Sequence, residues 1–202
     1  CAEWFVENCG AKWQQEANER DVSPYTVYEE AVDSIPPGSD GLLFLPFLKG
    51  STDNPDSAGG FHGLRLNHTT AHMLRSIYEG VTLTQVNALD SITTSIDTVR
   101  LTGGGSQSDV WTQMFADISE RPVRVPSDPE TGALGAAICG GIAAGIYPTA
   151  EAAVDCAVGT ASQYDPNPET EPQYQTLAEA FEQTTEVMER PWETIKSIAK
   201  ES

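Results

Sequence analysis

The sequence is poor in basic residues. Lys and Arg number 11 against 30 Asp and Glu, so the formal net charge is −19 and the isoelectric point is about 4.2. Binding to a nucleic-acid backbone or an anionic membrane requires clustered Lys and Arg, and the sequence contains no such cluster. These features exclude nucleic acid and membranes as partners. The acidic residues are spread along the chain, which is typical of halophilic proteins.

Long apolar runs and paired cysteines are also missing. No stretch approaches the roughly 20 apolar residues needed to cross a bilayer, and no basic segment followed by an apolar one marks a signal peptide. The four cysteines, Cys1, Cys9, Cys139 and Cys156, include no C-x-x-C pair. This pattern favours reduced thiols in a cytoplasmic protein over a disulfide framework or a zinc site.

Helices and strands alternate in the hydrophobic pattern, which predicts a layered α/β fold. Segment 165–172 has the composition of a linker and precedes a C-terminal helix over 173–200. Small residues in the helix at 131–145, after the fourth predicted strand, indicate a face that another backbone approaches closely. The predicted helices cover 2–10, 23–35, 68–96, 109–120, 131–145, 149–158 and 172–200, and the predicted strands cover 42–47, 59–64, 98–102 and 122–126.

A glycine-rich turn follows the strand at 98–102. Gly103, Gly104 and Gly105 would let the backbone approach a bound nucleotide, and Ser108 would cap the next helix, whose free N–H groups suit a phosphate. The spacing does not match G-x-G-x-x-G, because Ser108 stands where the third glycine belongs, and no G-x-x-x-x-G-K-[ST] occurs. The residues alone therefore leave both a structural turn and a nucleotide site open.

A second segment combines three histidines with a carboxylate on an apolar helix face. His68 and His72 lie four residues apart, but Thr69 follows His68, so H-E-x-x-H is not present. This spacing favours capping or surface histidines over a metal site. Glu79 lies among apolar positions, so we expect it to have a partner, since burying an unpaired carboxylate is costly.

Taken together, these segments resemble the FGGY family of carbohydrate kinases. Residues 59–80 resemble its C-terminal signature, residues 99–126 followed by 132–137 resemble its adenosine motif and glycine-rich helix, and residues 43–50 precede them in the family's order. The resemblance implies an α/β, actin-like (ribonuclease H-like) ATPase-type domain that is incomplete at its N-terminal end. Residues 1–202 would form the C-terminal, nucleotide-binding domain of a sugar kinase.

The implied activity is phosphorylation of a sugar hydroxyl by ATP with Mg²⁺. Residues 44–51 and 111–117 are most similar to pentulose kinases, especially the L-xylulose type, which makes a pentulose such as xylulose the expected substrate. A glycerol kinase lobe and a non-catalytic, actin-like nucleotide-binding module are the alternatives. Relatives are often dimers, so the resemblance also implies a homodimer.

The resemblance implies binding residues but no catalytic residue in this chain. The family's catalytic aspartate lies upstream of the position of Cys1, so we expect the chain to be inactive without an N-terminal kinase domain as its partner. The family pattern implies that Gly104 and Ser108 contact the nucleotide, with Gly103 and Gly105 completing the turn. Glu3 matches a polar position beside the nucleotide in relatives. No metal ligand is predicted.

Overall fold

A computed structural model describes residues 1–52, 54–92, 95–128 and 130–198, which form two compact units. One unit comprises Cys1–Thr93 with Pro168–Ser202, and the other comprises Thr94–Asn167. In chain order, the elements are α1 (Ala2–Cys9), α2 (Ala11–Arg20), α3 (Pro24–Asp33), β1 (Leu43–Leu45), β2 (Gly60–His62), α4 (Thr70–Asp90), β3 (Val99–Arg100), α5 (Asp109–Ser119), β4 (Val123–Pro126), α6 (Thr131–Ala143), α7 (Ala150–Ala157), β5 (Thr160–Tyr164) and α8 (Glu171–Lys196).

Helix α4 lies directly against strand β1 in the first unit. Gly80 permits this close approach, because a Cβ there would overlap with the carbonyl oxygen of Phe44. Strand β1 is buried along its length and pairs antiparallel with β2, with Leu43 opposite His62. The apolar run at 42–47 therefore predicted a buried strand correctly, although only residues 43–45 are paired.

Aromatic rings link the first helices to the β1–β2 pair. The Phe5 ring centroid lies 6.5 Å from that of Trp13 and 6.1 Å from that of Phe61. The Trp13 ring in turn lies 5.7 Å from Tyr28. The hydrophobic pattern did not predict α2, because its buried residues are only Trp13 and Ala17. Packing of one large ring therefore holds a helix that is polar elsewhere.

The C-terminal helix α8 packs on the end of β1 through aromatic contacts. The ring of Phe47 lies 6.4 Å from Phe181 and 5.5 Å from Trp192, both on α8. Helix α8 begins at Glu171, inside the segment predicted to be a linker, and continues past Pro191 to Lys196. Residues 199 and 200 of the predicted helix lie outside the described residues.

Glu79 is completely buried in α4 and accepts hydrogen bonds from three groups. Arg75 Nε donates to Glu79 Oε1 at 2.9 Å, the Gly38 N–H donates to the same oxygen at 2.9 Å, and Ser39 Oγ donates to Oε2 at 2.7 Å. Burial raises the pKa of Glu79, and the Arg75 guanidinium opposes this effect. The expectation that Glu79 has a partner is confirmed.

Arg75 connects this buried carboxylate to two other elements. Its Nη1 donates to the Val32 carbonyl oxygen at 3.0 Å, which joins α4 to α3. Its Nη2 donates to the Tyr174 hydroxyl at 2.9 Å, which joins α4 to α8. One buried guanidinium thus makes polar contacts with two helices and with Glu79 of its own helix.

His72 caps the first turn of α4. The N–H of Thr69 donates to His72 Nδ1 at 3.2 Å, and the Thr69 hydroxyl lies 2.9 Å from the same nitrogen. Because Nδ1 accepts the backbone N–H, the ring hydrogen belongs on Nε2, which lies 3.2 Å from Asp40 Oδ2. The predicted capping role of the histidines is confirmed for His72.

The second unit contains a three-stranded sheet in the order β3-β4-β5. Strand β3 is parallel to β4, with Val99 opposite Val123, and β4 is antiparallel to β5, with Val123 opposite Tyr164. The strands predicted at 98–102 and 122–126 are present as β3 and β4, but both are shorter than expected. Strand β5 was not predicted, because its sequence TASQY has no apolar alternation and its residues are exposed or half-buried.

Helix α6 does not show the close backbone packing that its small residues predicted. A Cβ on Gly132, Gly135 or Gly140 would meet no atom within 4 Å, and one on Gly141 would meet only the ring of Tyr147. Among the described residues, no backbone lies against these four glycines.

The remaining helix boundaries differ modestly from those predicted. Helix α4 ends at Asp90 instead of residue 96, and Ser91 caps it. Helix α5 ends at Ser119, because the next residue, Glu120, adopts the left-handed conformation with φ of 54°. Within the described parts of the chain, none of the helices has both the length and the apolar character needed to span a membrane.

Candidate functional site

The glycine-rich turn is the direct continuation of strand β3. The N–H of Leu101 donates to the Arg124 carbonyl oxygen at 3.0 Å, so the chain remains tied to β4 up to that point. Gly103 then adopts φ of 90° and ψ of −171°, a conformation that side-chain-bearing residues rarely adopt. Residues Gly104–Gln107 form a single 3-10 turn before α5. The predicted turn is therefore present.

The turn forms one wall of a cleft in the second unit. Because β3 and β4 are parallel, their carboxyl ends lie at the same edge of the sheet, and the chain leaving β4 forms the other wall. The cleft has a volume of about 400 Å³. It is lined by Thr102, Gly103, Gly104, Ser106, Gln107, Val125, Pro126, Ser127, Asp128, Glu130 and Thr131.

The three glycines of the turn have different structural reasons to be glycine. Gly103 has the positive φ described above. A Cβ on Gly105 would lie 2.8 Å from the ring of Trp111, so this glycine makes room for a side chain of α5. A Cβ on Gly104 would meet no protein atom within 4 Å. Packing against the described residues therefore does not require glycine at position 104, where a side chain would enter open space.

Ser108 is engaged in holding the start of α5. Its Oγ accepts the N–H of Trp111 at 3.2 Å, and its carbonyl oxygen accepts the Thr112 hydroxyl at 2.8 Å. The predicted capping role is confirmed. Ser108 and Gly105 are not among the residues that line the cleft. Glu3 lies on α1 in the first unit, and its side chain is exposed.

We expect the Ser108→Ala substitution to lower the free energy of unfolding by about 1 kcal/mol, because it removes the N-cap acceptor of α5. Ser108→Asp restores an acceptor and should recover most of this loss. Urea unfolding followed by tryptophan fluorescence measures both. Equal stability of Ser108→Ala and the parent chain would contradict a capping role.

The cleft is rich in hydrogen-bonding groups and carries negative charge. Hydroxyl and amide groups come from Thr102, Ser106, Gln107, Ser127 and Thr131, and apolar surface comes from Val125 and Pro126. The two charged residues among its described lining residues, Asp128 and Glu130, are acidic. A nucleoside, with its hydroxyl donors and apolar ring faces, matches this lining better than a phosphate group does.

The carboxylates of the described residues do not form a site for a divalent cation. No group of three or more His, Cys, Asp or Glu side chains converges in those ranges. In the cleft, Asp128 Oδ1 already accepts the N–H of Glu130 at 2.8 Å. The residues described thus do not fit a protein-built Mg²⁺ site, and no residue of this chain is assigned to Mg²⁺.

Sequence reasoning missed the second wall of the cleft. Its described residues beyond β4 are Ser127, Asp128, Glu130 and Thr131, which lie between the two stretches of the resemblance, 99–126 and 132–137, and carry no motif of their own. The available signal was the pair of predicted strands at 98–102 and 122–126 with one helix between them. A β-α-β unit places both carboxyl ends at one edge, which would have joined Ser127 and Asp128, just after the second strand, to the turn.

Comparison with known protein families gives a match over most of the chain. Residues 1–144 match the model of the FGGY family of carbohydrate kinases, C-terminal domain. The chain belongs to this family. The resemblance inferred from the glycine turn and the 59–80 signature is therefore confirmed.

Among its relatives, the FGGY chain is 38% identical to an L-xylulose/3-keto-L-gulonate kinase of Escherichia coli (strain K12). The alignment extends over 148 residues and covers 72% of this chain and 28% of that protein. It is 32% identical over 204 residues to a gluconokinase of Bacillus licheniformis, which covers 98% of this chain and 40% of that protein. The chain thus spans less than half the length of these relatives.

A solved structure supports the fold assignment of the FGGY chain. The crystal structure of xylulose kinase from Rhodospirillum rubrum superimposes with a TM-score of 0.77 at 28% identity, covering 95% of this chain and 38% of that one. The expected mixed α/β, actin-like sugar kinase fold is confirmed.

Proposed function

We propose that this chain is the nucleotide-binding lobe of a sugar kinase that transfers a phosphoryl group from ATP to a hydroxyl of a pentulose such as xylulose. The cleft carries the proposal, because one wall is a glycine turn whose Gly104 faces open space. Membership of a carbohydrate kinase family supports phosphoryl transfer to a sugar. The 38% identity to an L-xylulose/3-keto-L-gulonate kinase supports the pentulose.

In this proposal the cleft holds the nucleoside end of ATP. The backbone of Gly103 and Gly104 lies against the nucleoside, since a side chain there would occupy its space. Asp128 and Glu130 accept hydrogen bonds from the ribose hydroxyls, the role that acidic residues have in other nucleotide sites. The acidic lining repels the phosphates, which extend out of the cleft. Of the residues named from the family pattern, Gly105 and Ser108 do not line the cleft but hold the turn against α5. Glu3 remains a proposed contact of the nucleotide.

Nucleotide titration tests this arrangement. We expect calorimetric titration of the 202-residue chain to show binding of MgATP and of adenosine, and no binding of tripolyphosphate. Because the net charge is −19, the titrations are run both in dilute buffer and in molar KCl, which screens repulsion between the chain and ATP. Binding of tripolyphosphate without adenosine would contradict a nucleoside cleft.

Phosphoryl transfer is proposed to need the rest of the kinase. The chain spans 28–40% of the length of the relatives reported above, and phosphoryl transfer depends on groups positioned around both substrates. We therefore expect the 202 residues alone to bind nucleotide and to phosphorylate no sugar, in a cytoplasmic enzyme that an N-terminal domain completes. Phosphorylation of xylulose by the purified chain would refute this.

Gluconate is the second candidate substrate. The similarity to the Bacillus licheniformis gluconokinase extends over 98% of the chain, whereas that to the L-xylulose/3-keto-L-gulonate kinase covers 72%. Coupled ADP-release assays distinguish these candidates. The chain is joined to a kinase N-terminal domain and assayed with L-xylulose, D-xylulose, gluconate and glycerol at equal concentrations. The proposal predicts the largest kcat/KM for a xylulose.

A further inference from the structure

Strand β5 supports the second wall of the cleft. It pairs with β4, from which Val125 and Pro126 line the cleft, and the chain just before it pairs with Ser127. Strand β5 lies outside residues 1–144, the range that matches the family model. The strand that supports this wall therefore lies beyond the part of the chain that the family model matches.

The pairing of β4 with β5 is irregular where the cleft begins. Val125 lies opposite Ser162, but the next residue, Pro126, lies opposite Thr160, so Ala161 is an extra residue on β5. Pro126 has no N–H to donate to the sheet, and bulges are among the few positions in a sheet that accept proline. Beyond the bulge the pairing resumes, because the Ser127 N–H donates to the Gly159 carbonyl oxygen at 3.1 Å.

Gly159 leaves space for the hydroxyl group of Ser127. A Cβ on Gly159 would overlap with Ser127 Oγ, whereas Ser127 Cβ would be 3.5 Å away, an ordinary contact distance. Only the hydroxyl obstructs a larger residue, and a serine hydroxyl relieves an overlap by rotating about χ1. A side chain at position 159 would therefore displace the Ser127 hydroxyl from the place it occupies beside Gly159, while the backbone of Ser127 could stay where it is.

We propose that the Ser127 hydroxyl is a nucleotide-binding group and that Gly159 is the positioning residue that directs it. This inference rests on the proposed function of the cleft. Ser127 lines the cleft together with Gly104, and a hydroxyl both donates and accepts, as the ribose hydroxyls and base edge of a nucleotide require. The chain at 159–162 thus contributes to nucleotide recognition through the wall that it supports.

A double-mutant cycle tests the inference. Ser127→Ala removes the hydroxyl, Gly159→Ala displaces it, and the double variant has neither the hydroxyl nor the overlap. We expect each single variant to weaken MgATP binding about two- to tenfold, the range of one net hydrogen bond. The double variant should bind as the single variants do, because all three lose the same contact. Amide NMR spectra without nucleotide should show shifts at Ser127 and Asp128 in Gly159→Ala.

The control variant is Gly140→Ala, where an added Cβ would meet no atom within 4 Å. The affinity of this variant for MgATP should equal that of the parent chain. The inference is overturned if Gly159→Ala binds MgATP as the parent chain does, or if the two single losses add in the double variant. A lower melting temperature at full affinity would likewise assign Gly159 a purely structural role. If the parent chain does not bind MgATP, the proposed function is overturned together with this inference. The amide spectra would still report the contact between Ser127 and Gly159.

Discussion

Replacing Glu79 with Gln is expected to lower the free energy of unfolding by about 3–5 kcal/mol, because removing one partner of a buried ion pair leaves the other charge uncompensated. Arg75, only 6% exposed, would keep its contacts with Val32 and Tyr174 but lose its counter-charge. The amide of Gln occupies nearly the same volume, and its oxygen can still accept from Arg75 and Gly38. The Ser39 hydroxyl, which donates to Glu79, would instead accept from the amide nitrogen, so the main change is the lost charge. Urea unfolding followed by tryptophan fluorescence measures the effect.

Two further variants define what the loss means. Glu30→Gln removes an exposed carboxylate that is also paired with an arginine, Arg20, and it should change stability little because solvent screens that pair. The double variant Glu79→Leu with Arg75→Met removes both buried charges and should be more stable than Glu79→Gln. A loss for Glu79→Gln no larger than that for Glu30→Gln would contradict the importance of the buried pair.

Gly104→Val is expected to weaken MgATP binding at least about fivefold while leaving the chain folded. Gly104 does not have a positive φ, and a Cβ there would meet no protein atom within 4 Å, so folding does not require glycine. A branched side chain would instead occupy the cleft, and forcing a ligand against extra methyl groups costs about 1–3 kcal/mol. Calorimetric titration with MgATP, with a thermal melt of each variant, tests this.

The neighbouring glycines supply matched controls for this result. Gly140→Val makes the same change at another glycine with open space, outside the cleft, and should bind MgATP normally. Gly105→Ala should lower the melting temperature, because its Cβ would lie 2.8 Å from the ring of Trp111. Normal affinity of a folded Gly104→Val chain would show that the nucleotide does not lie against this turn.

Features that depend on neighbouring residues could be predicted from the sequence. Ser108 was predicted to cap α5, and it does, because the hydroxyl of an N-cap reaches an N–H only three residues ahead. The run at 42–47 indicated a buried strand, and residues 43–45 form one that is buried along its length. Glycines after the strand at 98–102 indicated a site that could accept a nucleotide.

Features that depend on distant parts of the chain could not be predicted in this way. Strand β5 has no apolar alternation, so only its pairing with β4 identifies it. Helix α2 forms around Trp13, whose partners Phe5 and Tyr28 belong to other helices. The small side chains of α6 were interpreted as a face for close backbone packing. This interpretation was wrong, because small side chains permit such packing but do not supply a partner, and no described backbone lies against these glycines.

The sequence by itself determined the family, the α/β class, the glycine turn and the need of Glu79 for a partner, because these follow from motifs and from local spacing. Only the tertiary structure decided the partners of Glu79, the second wall of the cleft and the distinct roles of Gly103, Gly104 and Gly105. Each of these depends on which atoms lie within about 4 Å across tens of residues of chain. The sequence shows only that three glycines are present. The surrounding atoms show that a positive φ requires Gly103, the ring of Trp111 requires Gly105, and Gly104 faces the open cleft.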